Sequence, residues 1–293
     1  MTTDTEGRPG RAPTSLDTSR SSTRPASRWG GRSLTALAAL FATFLALPIV
    51  TLVVRASLDG SLVAAIASPV VLDALWLSLV TTAVSLVITV TFGLPLAVVL
   101  ARRQFHGKGW LEAIVDLPIV LPPSVAGLAL LLVFGRRGLL AAPFDIFGVS
   151  IPFTTIAVIL AQTFVSAPFF IRSARTGIAA VDRDFEDAAR VDGASERQLF
   201  QRVTVPLASA ALAAGLVMTW ARSLGEFGAT IMFAGNIEGR TQTLPLVVYG
   251  EFQGGDLDAS VAAAAILVVA AFGVLMAVRV FHWGKLFDAR GLT

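Results

Sequence analysis

The sequence predicts an all-helical integral membrane protein with six spans. Three observations carry this expectation. The chain is 55% hydrophobic and 15% charged over 293 residues, too apolar for an ordinary soluble domain. Its apolar residues gather in runs of about twenty, the length that crosses a bilayer as a helix. Lys and Arg are concentrated in alternate connections between those runs.

Residues 1–32 form a tail rich in Ser, Thr, Pro and Arg. It has too little apolar surface to offset its chain entropy, so a disordered cytoplasmic tail is expected. Its arginines suit anionic lipid headgroups rather than nucleic acid. Leu34 to Val54 is the first apolar run. Its core exceeds that of a cleaved signal, which predicts an uncleaved first span. Leu72 to Leu100 is the second run. It holds Pro95, tolerable where neighbouring helices satisfy the freed carbonyl.

The third run extends from Trp110 to Gly135. Its front half holds Pro118, Pro122 and Pro123, then Ser124 and Gly127. Adjacent prolines interrupt helical hydrogen bonding, and small residues permit close backbone approach. Irregular backbone at membrane depth persists only inside protein or along a polar cavity. A wall of a translocation path and a kinked packing helix both fit. A turn-rich external segment from Arg136 to Pro152 follows, and Phe153 to Ile171 is the fourth run.

The fifth run, Pro206 to Leu224, and the sixth, Ala259 to Val280, flank a mixed, Gly-rich external stretch, Gly225 to Gly255, with a short apolar piece, Ile231 to Phe233. Residues 33–284 then form the six-span domain, and residues 285–293 a cytoplasmic end. Basic residues fill the tail, the Arg102 loop, the Arg172 to Arg202 stretch and the C-terminal end, so both termini are expected in the cytoplasm.

Between runs four and five lies the longest strongly charged segment, residues 182–206. Acids crowd its first turns, where the helix dipole favours them. Gly193 stands where a left-handed C-terminal residue is needed. Ser195 and Gln198 form a capping box. The pattern predicts two short helices joined by a turn, with Phe185, Ala188 and Ala189 on one face of the first and Leu199, Phe200 and Val203 on one face of the second.

Glu186, Asp187, Ala188 and Ala189, followed by Asp192, Gly193, Ala194, Ser195, Phe200, Val205 and Pro206, resemble the EAA loop of bacterial ABC-importer permeases. The family's leading Glu matches Asp187, one methylene shorter, with Glu186 beside it. The stretches Leu117 to Leu140, Arg222 to Asn236 and Gly239 to Leu246 resemble the molybdate permeases, with sulfate and tungstate permeases as near relatives. The resemblance implies a type I ABC-importer permease fold whose cytoplasmic coupling helix docks on an ATP-binding subunit. It also implies a bacterial plasma-membrane complex of two copies of this chain, an ATP-binding subunit dimer and an extracytoplasmic oxyanion-binding protein. The implied cargo is a tetrahedral oxyanion, most directly molybdate, with sulfate, thiosulfate or tungstate as alternatives.

The residues themselves bear on chemistry in a complementary way. The chain has no cysteine and two histidines, His106 and His282, which make a poor metal site. It has no triphosphate-cradling GxxxxGK[ST] loop and no serine–histidine pair that suggests a nucleophile. No catalytic residue, metal or bound cofactor is expected, and ATP with magnesium would act on a partner ATPase. A dianion's route needs hydroxyls, backbone N–H groups or helix N-termini rather than bare hydrocarbon. Ser124, Thr230, Thr241 and Thr243 are candidates, each equally able to bond its own helix or neighbours.

Arg222 and Glu226 stand four apart, the spacing of an intrahelical ion pair, either structural near a gate or in contact with substrate. Arg136 and Arg137 would lie at the outer mouth. There they could concentrate anions, meet acids on a binding protein, or serve as solvated span ends. Two rival classes remain. An ion-coupled secondary transporter would be expected to show intramembrane acids or broken-helix repeats, and a passive channel or membrane scaffold gives no reason for the capped cytoplasmic segment.

Overall fold

The computed structural model describes residues 28–288 except 147 and 149, with side chains described for 33–276 except 143–145, 147 and 149. The expected disordered tail lies almost entirely outside the described residues. Every regular element described is helical. The chain divides into two units, one ending at Leu47 and one beginning at Pro48.

Helix α1, Arg28–Leu58, contains that division and carries the first apolar run, with Pro48 inside it. The second unit then takes the following order. Helices α2 (Ser61–Ala67) and α3 (Pro69–Arg102) precede α4 (Lys108–Val120), α5 (Pro123–Phe134) and the short α6 (Ala141–Ile146). Next come α7 (Thr155–Ala179), α8 (Arg183–Val191) and α9 (Glu196–Leu199). A π-helical turn, Phe200–Thr204, leads into α10 (Val205–Leu224), followed by α11 (Gly228–Phe233), α12 (Leu244–Gly254) and α13 (Leu257–Asp288).

Five of these helical stretches are long and apolar enough to cross a membrane, and α4 with α5 makes a sixth crossing if the pair counts as one span. The third run is thus more sharply broken than a kinked helix. The chain bends by 118° from one half to the other. Pro122 and Pro123 supply no N–H between them, so the ladder cannot continue through Leu121. Pro95, in contrast, is carried inside α3 without a break.

The central packing is α7 against α3 and α10. Two glycines set how closely α7 and α10 approach. A β carbon on Gly177 would lie 2.3 Å from Ala211 Cβ, and one on Gly215 would lie 2.9 Å from Ser173 Cβ. Phe170, Ile171 and Ala174 of α7 bury against Ala97 and Leu100 of α3, with Leu111 and Val115 of α4 closing the side. A second cluster joins Val71 and Ala74 of α3 to Val247 of α12 and Ala262, Ala263 and Ile266 of α13. Large apolar side chains such as Trp76, Val87 and Phe92 remain exposed on α3. That face suits lipid, whose tails solvate it as well as a protein core would.

The Gly-rich stretch from Gly225 to Gly255 forms the helices α11 and α12, and its short apolar piece packs into the bundle. Ala229 and Phe233 of α11 are fully buried in one cluster with Ala126 and Leu130 of α5 and Ala157, Val158, Ala161 and Val165 of α7. Its glycines admit close packing: a β carbon on Gly228 would approach Pro123 Cβ to 2.8 Å. The expected boundary at residues 284 and 285 falls inside α13.

Candidate functional site

Two regions carry the polar chemistry. The first is the charged segment after α7. Asp182 caps α8, its carboxylate accepting the Asp184 N–H at 3.1 Å. Gly193 takes φ +85°, the left-handed turn expected of it. Ser195 and Gln198 form the reciprocal capping box at the start of α9. Across the turn, Arg190 donates to Asp187 Oδ1 at 2.8 Å and to Glu196 Oε1 at 2.9 Å. The hydrogen bond to Glu196 pushes the Arg190 pKa further above its ordinary value, so the guanidinium stays charged.

One expectation for this segment is corrected. The second helix is not a separate piece of a two-helix knob. It runs through the π-helical turn directly into α10, and Pro206, in the first turn of α10, supplies no N–H to that continuous ladder. The face that carries Phe185 and Ala188 is exposed, with Phe185 at 60% and Val191 at 88%. The side chain that α8 buries is Glu186, at 5%. Its carboxylate is held at 2.5 Å by Arg102 and at 2.8 Å by the Thr204 hydroxyl. A tertiary ion pair outweighed the apolar pattern. Asp187, next along, faces outward to Arg190, and Ala189 and Ala194 are half-buried.

The second region is where the broken third span meets α11. Gly127 packs on the α11 backbone, and Pro123 packs on Gly228. Glu226, 1% exposed, accepts the Ala229 N–H at 2.7 Å and pairs with Arg222 at 2.6 Å. The structure therefore brings the Pro123 to Gly127 group against the Glu226 to Thr230 group. Pro122 and Ser124 are exposed at the start of α5. Thr230 and Thr243 are buried, and neither hydroxyl has a hydrogen-bond partner among the described residues. Thr241 behaves differently. Its hydroxyl accepts the Ile237 N–H at 3.0 Å and donates to the Gly235 carbonyl, tying a local turn. Arg136 and Arg137 are exposed beyond α5 and line a cavity of about 530 Å³ with Leu131, Leu132, Pro152 and Phe153.

Sequence reasoning missed a seam of buried hydroxyls between α3, α7 and α10. Thr163 donates to Ser85 at 3.0 Å, Ser85 meets Ser223 at 3.4 Å, and Ser223 donates to Ser166 at 2.8 Å. Gln162 donates to Thr82 at 3.4 Å. The signal was present as Ser78, Thr82, Ser85 and Thr89, one polar stripe at helical spacing on an apolar span. Among the described residues no group of His, Cys, Asp or Glu could hold a metal ion.

Residues 90–284 match the family described as binding-protein-dependent transport system inner membrane component. The chain is 43% identical over 235 residues to the molybdenum transport system permease protein ModB of Mycobacterium tuberculosis, covering 80% of this chain and 88% of that one. It is 37% identical to the molybdate/tungstate transport system permease protein WtpB of Pyrococcus abyssi, covering 85% and 96%. Among solved structures it is similar to a chain of a bacterial alginate ABC transporter, with TM-score 0.69, 17% identity, and 86% and 94% of the two chains covered.

Proposed function

Since the chain belongs to the inner-membrane components of binding-protein-dependent transport systems, we propose that it is the permease of an ATP-driven molybdate importer. The observation that carries the cargo is the 43% identity, over four fifths of the chain, to a molybdenum permease. Tungstate and sulfate form a second reading, because relatives named for them also match, at 37% and 39% identity. All three ions are tetrahedral dianions, which one route of weak donors could pass.

In this reading two copies of the chain enclose the route, two ATP-binding subunits sit below, and an extracytoplasmic binding protein delivers the ion. ATP and magnesium act on the ATP-binding subunits. Both termini and α8 face the cytoplasm. The exposed Phe185, Ala188 and Val191 support α8 as the docking helix, since a solvated helix gains nothing from uncovered apolar side chains. Asp187 and Arg190 frame that surface with charge.

The unpartnered Thr230 and Thr243 hydroxyls support a route past α11 and α12, because a buried polar atom without a partner costs about 1–3 kcal/mol and is retained for a reason. Ser124, exposed at the broken end of α5, offers a third hydroxyl. Glu226 is already committed to Ala229 and Arg222, which favours a structural pair near the gate over substrate contact. Arg136 and Arg137 serve the outer mouth. Closure of the ATP-binding subunits moves α8, and the spans tilt between inward and outward access.

The complete importer in vesicles tests this with labelled molybdate, tungstate and sulfate. ATP-dependent molybdate uptake that excess unlabelled tungstate or sulfate suppresses less well than unlabelled molybdate is the expected result. Uptake driven by a proton or sodium gradient without ATP would assign the chain to secondary transport instead.

A further inference from the structure

We propose that Glu186 is a positioning residue that fastens the docking helix α8 to the end of α3, so that both move as one body. The proposal rests on the reading of α8 as the element the ATP-binding subunit grips. Two neighbouring acids divide the work. Asp187 points to solvent and is held by Arg190, within its own turn. Glu186 points inward and is 5% exposed.

The partners of Glu186 come from two directions, and one of them is itself anchored to a third element. Arg102, the last residue of α3, donates to its Oε1. The same guanidinium donates twice, at 3.3 Å, to the carbonyl of Val181, just beyond α7. Thr204, the last residue of the π-helical turn below α10, donates to the same Oε1 at 2.8 Å. The Arg102 and Glu186 side chains are 18% and 7% exposed, so water screens this pair far less than a surface pair.

Connectivity explains why one pair matters. The chain already joins α8 to α7 through residues 180–182 and to α10 through α9 and the π-helical turn. Helix α3 lies 84 positions away along the chain from Glu186 at Arg102. A push on α8 reaches α7 and α10 covalently and α3 through their packing on Leu94, Val98 and Ala101, whereas the direct tie from α8 to α3 is Arg102. A carboxylate enclosed with a guanidinium resists separation, because parting them strands a desolvated charge. The node therefore converts motion of a peripheral helix into motion of the span that carries the buried hydroxyl stripe.

The test uses the complete importer in vesicles, with uptake and ATP hydrolysis measured on the same preparation. In E186Q and R102Q the ATP-binding subunits should still co-purify and ATP should still be hydrolysed. Molybdate taken up per ATP should fall about tenfold in each. The double variant should be no worse than either single, as expected of two residues acting as a unit. R102K, which keeps the charge, should recover part of the ratio. T204V removes one donor without baring a charge and should give a smaller fall, which keeps the test alive if a charge variant does not assemble.

An unchanged ratio in E186Q and in T204V overturns the proposal, as do losses that multiply in the double variant. Loss of ATP-binding subunits from E186Q while R102Q keeps them also overturns it, because Glu186 would then be a docking contact. Failure of the docking reading is seen separately, as undiminished retention of the ATP-binding subunits by Val191→Asp.

Discussion

Gly127 lies so close to Ala229 that a β carbon there would stand 2.6 Å from the Ala229 carbonyl oxygen and 2.8 Å from its Cα. The obstacle is backbone, which cannot rotate aside as a side chain tip can. The broken third span and the short helix α11 are thereby locked at one contact.

Gly127→Ala should therefore force α5 and α11 apart. The expected cost is about 1–3 kcal/mol, the range for overpacking a filled core. Thermal unfolding of the detergent-solubilised protein, followed by size-exclusion chromatography, should show a lower midpoint and a smaller yield. An unaltered midpoint would mean that the contact yields easily.

Glu226→Gln keeps an oxygen able to accept the Ala229 N–H but removes the negative partner of Arg222. The Glu226 side chain is 1% exposed and that of Arg222 28%, so the loss should be about 1–3 kcal/mol, below that of a fully enclosed pair. Complex yield or ATP-driven uptake should drop. Normal values for both would remove any role for the pair in assembly or gating.

Val191→Asp places a charge on the most exposed apolar position of α8 without disturbing a buried contact. The permease should express and fold normally, yet fail to bring down the ATP-binding subunits. Retention of those subunits at the usual ratio would argue that they grip another surface.

Gly193 has open space around its α carbon and needs only its positive φ. Gly193→Asn should be tolerated, and Gly193→Val should cost about 1–2 kcal/mol of local strain. Co-purification with the ATP-binding subunits should separate the two, the valine variant losing most of its yield. Equal behaviour of both variants would show that the turn's geometry is dispensable.

How much of this was legible in the sequence depends on the range of the interaction involved. Features set within one or two turns were readable: the acid-rich start of α8, the left-handed Gly193 and the Ser195 with Gln198 box each follow from neighbours a few residues away. The inward turn of Glu186 was not, because its partner Arg102 comes from another helix and offsets the burial of charge. Phe185 then sits outside, although apolar spacing alone would have put it inside. The burial of α11 escaped for a similar reason. Its glycines read as loop formers, whereas at Gly228 the missing side chain makes room for Pro123. The stripe of Ser78, Thr82, Ser85 and Thr89 could have been found by asking which polar residues in an apolar span recur at helical spacing.

The wide turn at Phe200–Thr204 has a consequence for register. Each residue of an α-helix advances the chain by about 100° around its axis, and the π-helical turn already holds one residue more than an α-turn, so a further residue inserted there would swing α9 and everything before it by roughly a quarter of a circle relative to α10. Thr204 would then face away from the acid it serves, although neither partner has been altered. The spacing between these elements is thus a phase relationship, and insertions in that short interval should be far more damaging than substitutions.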